Sequence, residues 1–324
     1  MKHNNSYKLS FVHLLCVLLL TPLICSQLDY RFYDDSCPNL TRIVRYGVWS
    51  AMSNDTRMAA SLLRLHFHDC FVNGCDGSLL LDGENVEKNG LANRNSARGF
   101  EAIDNIKANL EKACPATVSC ADILAIVARE AVYLTGGPFW NVPLGRRDGL
   151  TSSQNAANQQ LPSPFESLEN ITAKFTSKGL DLKDVVVLSG GHTLGFAQCF
   201  TFKTRLFNFS GSGKPDPALD TSFLQSLQNA CPDQADSDTK LAPFDSTSSK
   251  FDNVYYNLLM NNAGLLQSDQ ALMGDNTAAS LVSYYSKFPY MFSKDFGVSM
   301  VKMGGIGVLT RQDGEIRKNC RVNN

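Results

Sequence analysis

Five histidines occur in 324 residues, and where they fall narrows the chemistry open to this chain. His66 and His68 lie in Leu63-Arg64-Leu65-His66-Phe67-His68-Asp69-Cys70, and His192 follows two glycines in Leu188-Ser189-Gly190-Gly191-His192-Thr193. A His-x-His pair binds one metal ion when a strand end presents both rings to one point. Here, however, the residue types from Ala59 to Cys70 favour helix, and Ala59, Leu62, Leu63, His66 and Phe67 follow helical spacing. On a helix Arg64 and His68 are neighbours four residues apart, whereas His66 points nearly the opposite way. That divergence weighs against a metal hydrolase built on His66 and His68. The helix would instead offer one pocket a base, a fixed cation and an aromatic wall in His68, Arg64 and Phe67. The plainer alternative makes His68 a satisfied core histidine and Arg64 a surface ion pair. His192 favours the first reading, because glycines let backbone or a flat cofactor approach closely. One histidine beside an arginine, with another on a different helix, matches the needs of a haem iron: a distal acid/base residue and an axial ligand.

Helices must position these groups. Phe100, Ile103, Ile106 and Leu110 fall on one face, Cys120–Thr135 is an apolar helix stopped by Gly136-Gly137-Pro138, and Leu168, Ile171 and Phe175 mark another stripe. Asp181 caps a further apolar helix that runs into Gly190 and Gly191. Loops rich in Gly, Asn, Asp and Ser are expected at 72–99, 147–165 and 208–220. Strand-like alternation is scarce, so the fold class expected is mostly α.

The N-terminal segment has the order of a secretory signal peptide: Lys2 and Lys8, an apolar run from Leu9 to Leu20, then Thr21 to Ser26. His13 and Pro22 interrupt a run too short for the roughly 20 residues that span a bilayer. Residues 1–26 are therefore expected to be removed, leaving 27–324 as one domain. His3, His13, Cys16 and Cys25 go with them. Three histidines remain, with an even set of eight cysteines, which in an oxidising compartment implies four disulfides. Proximity alone pairs only Cys70 with Cys75, and the dispersed spacing argues against zinc. Sequons at Asn39, Asn54, Asn170 and Asn208 fit export and predict surface positions. The composition, 44% hydrophobic and 19% charged, is that of a folded chain, and 30 Lys and Arg against 31 Asp and Glu leave no basic field for nucleic acid.

The two histidine segments resemble the distal and proximal signatures of the secretory plant haem peroxidases, the class III family. The similarity continues through Asn95-Ser96-Ala97-Arg98-Gly99-Phe100, Val118-Ser119-Cys120-Ala121-Asp122, Pro143-Leu144-Gly145-Arg146-Arg147-Asp148, Phe251-Asp252-Asn253, Gln267-Ser268-Asp269-Gln270 and Asn319-Cys320-Arg321-Val322. The resemblance implies a two-lobed helical fold with haem b between distal and proximal lobes. It makes His192 the axial ligand and Asp269 the acceptor of its other ring N–H, which enriches the imidazole in electrons. It makes His68 the distal base, Arg64 the charge stabiliser, Asn93 the group that orients His68, Glu87 the partner of Asn93, and Phe67 the shield of the iron. Phenolic donors would bind near Pro162 and give up electrons singly, so that hydrogen peroxide is reduced to water.

The resemblance also implies two Ca²⁺ ions. Asp69, Val72, Gly74, Asp76 and Ser78 match the distal site, and the residues agree: carboxylates, a hydroxyl and carbonyls form an oxygen cage for a hard cation. Thr193, Asp245, Ser248, the Lys250 carbonyl and Asp252 match the proximal site. There the segment 245–252 is one residue shorter than the family pattern, which leaves Thr247 as an alternative to Ser248. The family pairing is Cys37 with Cys114, Cys70 with Cys75, Cys120 with Cys320 and Cys199 with Cys231. Asp122 and Arg146 resemble a buried structural ion pair, and His66 is expected only to pack. A monomer in the extracellular space or cell wall is expected, since the sequence continues only four residues past Cys320 and carries no vacuolar extension. Lignin precursors, suberin phenolics and auxin all fit as donors, in roles from wall cross-linking to oxidative stress. A non-enzymatic Ca²⁺-binding wall glycoprotein that keeps the fold is the competing reading.

Overall fold

The computed structural model describes residues 28–324, and the expected signal peptide lies outside the described residues. In the first half the helices are α1 (Leu40–Asn54), α2 (Met58–Phe71), α3 (Phe100–Ala113), α4 (Cys120–Leu134), α5 (Gln154–Gln160), α6 (Leu168–Thr176) and α7 (Leu182–Ser189). A short hairpin follows, β1 (Phe196–Gln198) antiparallel to β2 (Leu241–Pro243), enclosing α8 (Lys203–Phe207) and α9 (Thr221–Ala230). The chain closes with α10 (Val254–Met260), α11 (Gln267–Gln270), α12 (Asn276–Lys287) and α13 (Pro289–Met303). The mostly helical expectation holds, and the hairpin is the only sheet among the described residues.

Helix α4 is the central strut. Every residue from Cys120 to Val132 is buried, as an apolar helix wrapped on all sides requires. Ser119 starts it by accepting the Asp122 N–H at 3.1 Å, which satisfies one of the donors that a helix start leaves free. Helix α2 lies along α4, and α1 covers α4 and α3. Further along the chain, α13 and α12 pack on α7, and α12 also packs on α10. One continuous apolar core runs through both groups, and a smaller one around Phe202, Leu206 and Leu227 lies beneath the Cys199–Cys231 bridge. The other disulfides are Cys37–Cys114, Cys70–Cys75 and Cys120–Cys320, the last joining residues 200 apart.

Three expected loops contain more regular structure than their composition suggests. Residues 72–99 hold two tight 3-10 turns, 208–220 hold one, and 147–165 contain α5. Helix α5 has no apolar stripe, because Ala157 is its one buried residue, so periodicity had nothing to detect. Its start is Ser153, whose hydroxyl accepts the Ala156 N–H at 3.2 Å.

Candidate active site

Helix α2 carries Arg64, Phe67 and His68, and its residues 58–71 form a regular helix, so Arg64 and His68 fall one turn apart as their spacing requires. Arg64 Nε donates to His68 Nε2 at 3.0 Å. On the other side of the ring, His68 Nδ1 meets Asn93 Oδ1 at 2.5 Å. The roles around that contact follow from one further bond. Asn93 Nδ2 donates to the Glu87 carbonyl at 2.7 Å, which turns the amide oxygen toward the ring, so Nδ1 must carry the proton. Nε2 is then the basic atom. Burial, with the Arg64 cation adding, holds the His68 pKa well below the ordinary histidine value, against an opposing pull from Asn93. Arg64 also donates to the Ala92 carbonyl at 2.7 Å and to Ser96 Oγ at 3.1 Å. Burial lowers its pKa only to about 10, so it stays a cation at neutral pH.

Phe67 is half-buried beside His68 and is backed by Phe71 at 4.5 Å between ring centroids and by Phe175 of α6 at 6.5 Å. His66 points away. It is buried against Cys70 Sγ, and the two imidazoles do not converge on one point. His66, Cys70 and Cys75 lie close enough to suggest a metal cluster, but Cys70 and Cys75 are joined by a 2.03 Å S–S bond and offer no thiolates.

His192 sits on a 3-10 turn, Gly190–Thr193, that continues α7. Of the two glycines there, packing requires Gly190 and not Gly191. A side chain on Gly190 would collide with Tyr256 Oη and Phe292, whereas one on Gly191 would find only ordinary contacts, the nearest being Leu63 at 3.6 Å. At Gly195 φ is +96° and a Cβ would lie 2.6 Å from the Ala60 side chain. Ala60 is one turn before Arg64 on the stripe that leads to His68, so the segment after His192 abuts the face of α2 that bears the distal pair.

His192 Nδ1 bonds Asp269 Oδ1 at 2.8 Å. Asp269 is held in turn by the Leu266 N–H at 3.1 Å on Oδ2 and by Tyr255 Oη at 3.0 Å on Oδ1. The His192 side chain is 40% exposed while Asp269 is buried, and with Nδ1 committed, Nε2 is the ring atom free for a metal. Phe244 stacks on the ring at 4.3 Å with an interplanar angle of 6°. Neither Phe244 nor Tyr255 stood out in the sequence. Tyr255 follows the Phe251-Asp252-Asn253 motif by two residues, and that closeness is the one cue available.

A peroxidase family model matches residues 44–287. The chain is 66% identical to Peroxidase 10 of Arabidopsis thaliana over 303 residues, 92% of this chain and 87% of that one. It is 52% identical to Peroxidase N of Armoracia rusticana over 96% of this chain and 97% of the relative, and 51% identical to Peroxidase 15 of Ipomoea batatas over 91% and 92%. The chain belongs to the class III plant peroxidases. It is therefore an enzyme of the haem family, and the non-enzymatic alternative falls away.

Within this peroxidase the two calcium-like loops can be tested for fit. At the distal loop, Ser78 Oγ and both Glu87 carboxylate oxygens are buried without a hydrogen bond of good geometry, although Ser78 lies close enough to Asp76 and Glu87 to lower the pKa of each against the larger effect of burial. Burial, with Asp76 adding, raises the Asp69 pKa well above its usual value, burial raises that of Asp76, and burial with Asp69 adding pushes Glu87 up to about 9. Buried carboxylates beside a poorly bonded hydroxyl are what a hard cation would relieve. Gly74, at φ +134°, lets the loop cross Gly307, whose oxygen would lie 2.5 Å from a Cβ there. Val72 is buried within the same loop.

At the proximal cluster, Thr193 Oγ1 donates to Asp245 Oδ2 at 2.8 Å and reaches Asp252 Oδ1 at 3.2 Å. Thr247 brings the other hydroxyl, 3.1 Å from Asp245 Oδ1 and 3.2 Å from Asp252 Oδ1. Ser248 enters through its carbonyl, which accepts the Gly195 N–H at 2.8 Å. The turn is tightened by Lys250 N–H on the Thr247 carbonyl at 2.7 Å. Burial raises the Asp245 pKa.

Pro162 is half-buried between α5 and α6. Lys174 on α6 ties its loop by donating to the Leu161 carbonyl at 2.8 Å and to Glu166 at 2.6 Å, and Glu166 accepts the Ser163 N–H at 3.2 Å. The Pro164 carbonyl accepts the Ser268 N–H at 3.1 Å, next to Asp269.

Proposed function

We propose that the protein is an exported peroxidase that holds haem b with His192 as axial ligand and uses hydrogen peroxide to oxidise small phenols one electron at a time. The observation that carries this is the pair of oriented histidines: Nε2 of His68 is basic because Asn93 fixes Nδ1–H, and Nε2 of His192 is free because Asp269 holds its Nδ1. When bound, the haem supplies the redox centre that holds the two oxidising equivalents of peroxide between donor steps. His68 takes a proton from the peroxide oxygen that binds and returns it to the oxygen that leaves as water. Arg64, charged and fixed by Ala92 and Ser96, stabilises the negative charge that grows as the O–O bond breaks. Two phenols near Pro162 then each lose one electron and one proton, so one peroxide and two phenols give two waters and two phenoxyl radicals.

Asp69, Val72, Gly74, Asp76 and Ser78, with Glu87 beside them, would hold one Ca²⁺, and Thr193, Asp245, Thr247, Lys250 and Asp252 a second. Export is supported by four disulfides and by the exposure of Asn39, Asn54, Asn170 and Asn208. We place it as a monomer in the extracellular space or cell wall. The test is spectroscopic and kinetic. The purified protein should show a Soret band and turn over a simple phenol with peroxide. His192→Ala should lose haem, and retention with a native spectrum would remove His192 as the ligand.

A further inference from the structure

We infer that Tyr255 is a positioning residue that limits how strongly Asp269 draws the ring proton of His192, and so sets the reduction potential of the bound iron. This rests on the reading of His192 as axial ligand. The Tyr255 hydroxyl and the His192 Nδ1–H converge on the same carboxylate oxygen, Oδ1 of Asp269, at 3.0 and 2.8 Å. Two donors on one oxygen share its electron density. Each bond weakens the basicity that the other meets, so the phenol lessens the imidazolate character that the carboxylate confers on the ring.

The geometry holds Tyr255 in that role. Its side chain is buried, its ring stands edge-on to His192 at 6.2 Å and 78°, and the second Asp269 oxygen is occupied by the Leu266 N–H. Tyr255 is only 2% exposed, so little water competes for that bond. Burial, with Asp269 adding, raises its pKa well above the usual tyrosine value, so toward Asp269 it acts only as a donor. Ser189, three residues before His192, acts on the same phenol in the opposite sense, lowering its pKa against the larger effect of burial. Tyr256, next in sequence and equally buried, makes a different contact, donating to the Val186 carbonyl at 3.0 Å. It supplies the control.

The experiment uses haem-loaded protein and two readouts besides turnover: the ferric/ferrous potential and the iron–histidine stretching frequency of the reduced form. In Tyr255→Phe the carboxylate pulls harder on Nδ1–H. The ferric state gains about tenfold over the ferrous, a fall of about 59 mV for one electron, and the stretching frequency rises. Ser189→Ala, which leaves the phenol in place, shifts both the same way by less, and it stands in if Tyr255→Phe folds poorly. Tyr256→Phe leaves both unchanged. The inference is overturned if Tyr255→Phe retains haem with both readouts unmoved or reversed, or if Tyr256→Phe moves them equally. A wild-type protein with no iron–histidine stretch, or one whose stretch survives His192→Ala, would instead remove the axial reading and the inference with it.

Discussion

His68 can act as a base because two bonds leave its proton on the far nitrogen, and Arg64 stays charged beside it despite burial. Replacing His68 with Ala removes proton transfer in both directions, and such groups contribute roughly 10²–10⁴-fold. The rate of peroxide reaction should fall at least about a hundredfold, measured by stopped flow, and a nearly unchanged rate would exclude the distal-base role. His66 makes a separate prediction. Burial, with Arg146 adding, lowers its pKa from 6.5 to about 3, so the folded protein refuses a proton that the unfolded chain accepts. Stability is therefore whole above pH 6.5 and is lost as pH falls from 6.5 toward about 3, by at most about 1.4 kcal/mol per unit. His66→Gln cannot titrate, and its urea midpoint should depend less steeply on pH in that window. Some slope will remain, because the pKa of His68 is lowered in the same sense.

At the scale of elements, α2 ends at Phe71 and the loop after it returns Asp76 and Ser78 toward Asp69, one residue past His68. Removing a cation from that loop would leave Asp69, Asp76 and Glu87 buried together with raised pKa values, which favours their protonation, and would loosen the last turn of α2. Chelation should lower both the thermal midpoint and the peroxide rate, and added Ca²⁺ should restore them. An ion at about a hundredfold over its Kd contributes about 2.7 kcal/mol, which calorimetry resolves. Helix α6 offers a contrasting case. Lys174 ties down the loop that carries Pro162 through Leu161 and Glu166, so Lys174→Met should raise the KM for a phenol several-fold and leave the peroxide step untouched. Stopped-flow and steady-state rates on the same variant separate the two.

Across the whole molecule, the two ends of the domain are joined around α4. Cys120 at its start bonds Cys320, and the model of chain-entropy loss puts closure of a loop that long near the upper end of the roughly 0–5 kcal/mol range for disulfides. Beside it Asp122 accepts from Arg146 at 2.8 Å, from Tyr33 at 2.9 Å and from the Gly145 N–H at 2.7 Å, all buried. Asp122→Ala would strand the Arg146 cation. Breaking a buried pair this way costs about 3–5 kcal/mol, so denaturant unfolding should show a loss of that size, with the variant's peroxide rate per folded haem close to wild type.

What was legible in the sequence was local. The i, i+4 placement of Arg64 and His68, the divergence of His66, the cap at Asp181 and the even cysteine count all depend on neighbours along one helix or on composition, and helical periodicity transmits them directly. The family resemblance added Asp269 and the three disulfide pairings other than Cys70–Cys75, which no spacing rule could have supplied. Tertiary structure alone decided which hydroxyl enters the proximal cluster, where a tight turn brings in Thr247, and that Gly190 is needed for contact with Tyr256 and Phe292. It alone placed Phe244 on the His192 ring and Tyr255 on the oxygen His192 uses. Phe244 lies 52 positions from His192, Tyr255 lies 63 from the same ring and Tyr256 lies 66 from Gly190, and at such separations it is the packing of whole elements that selects the partner.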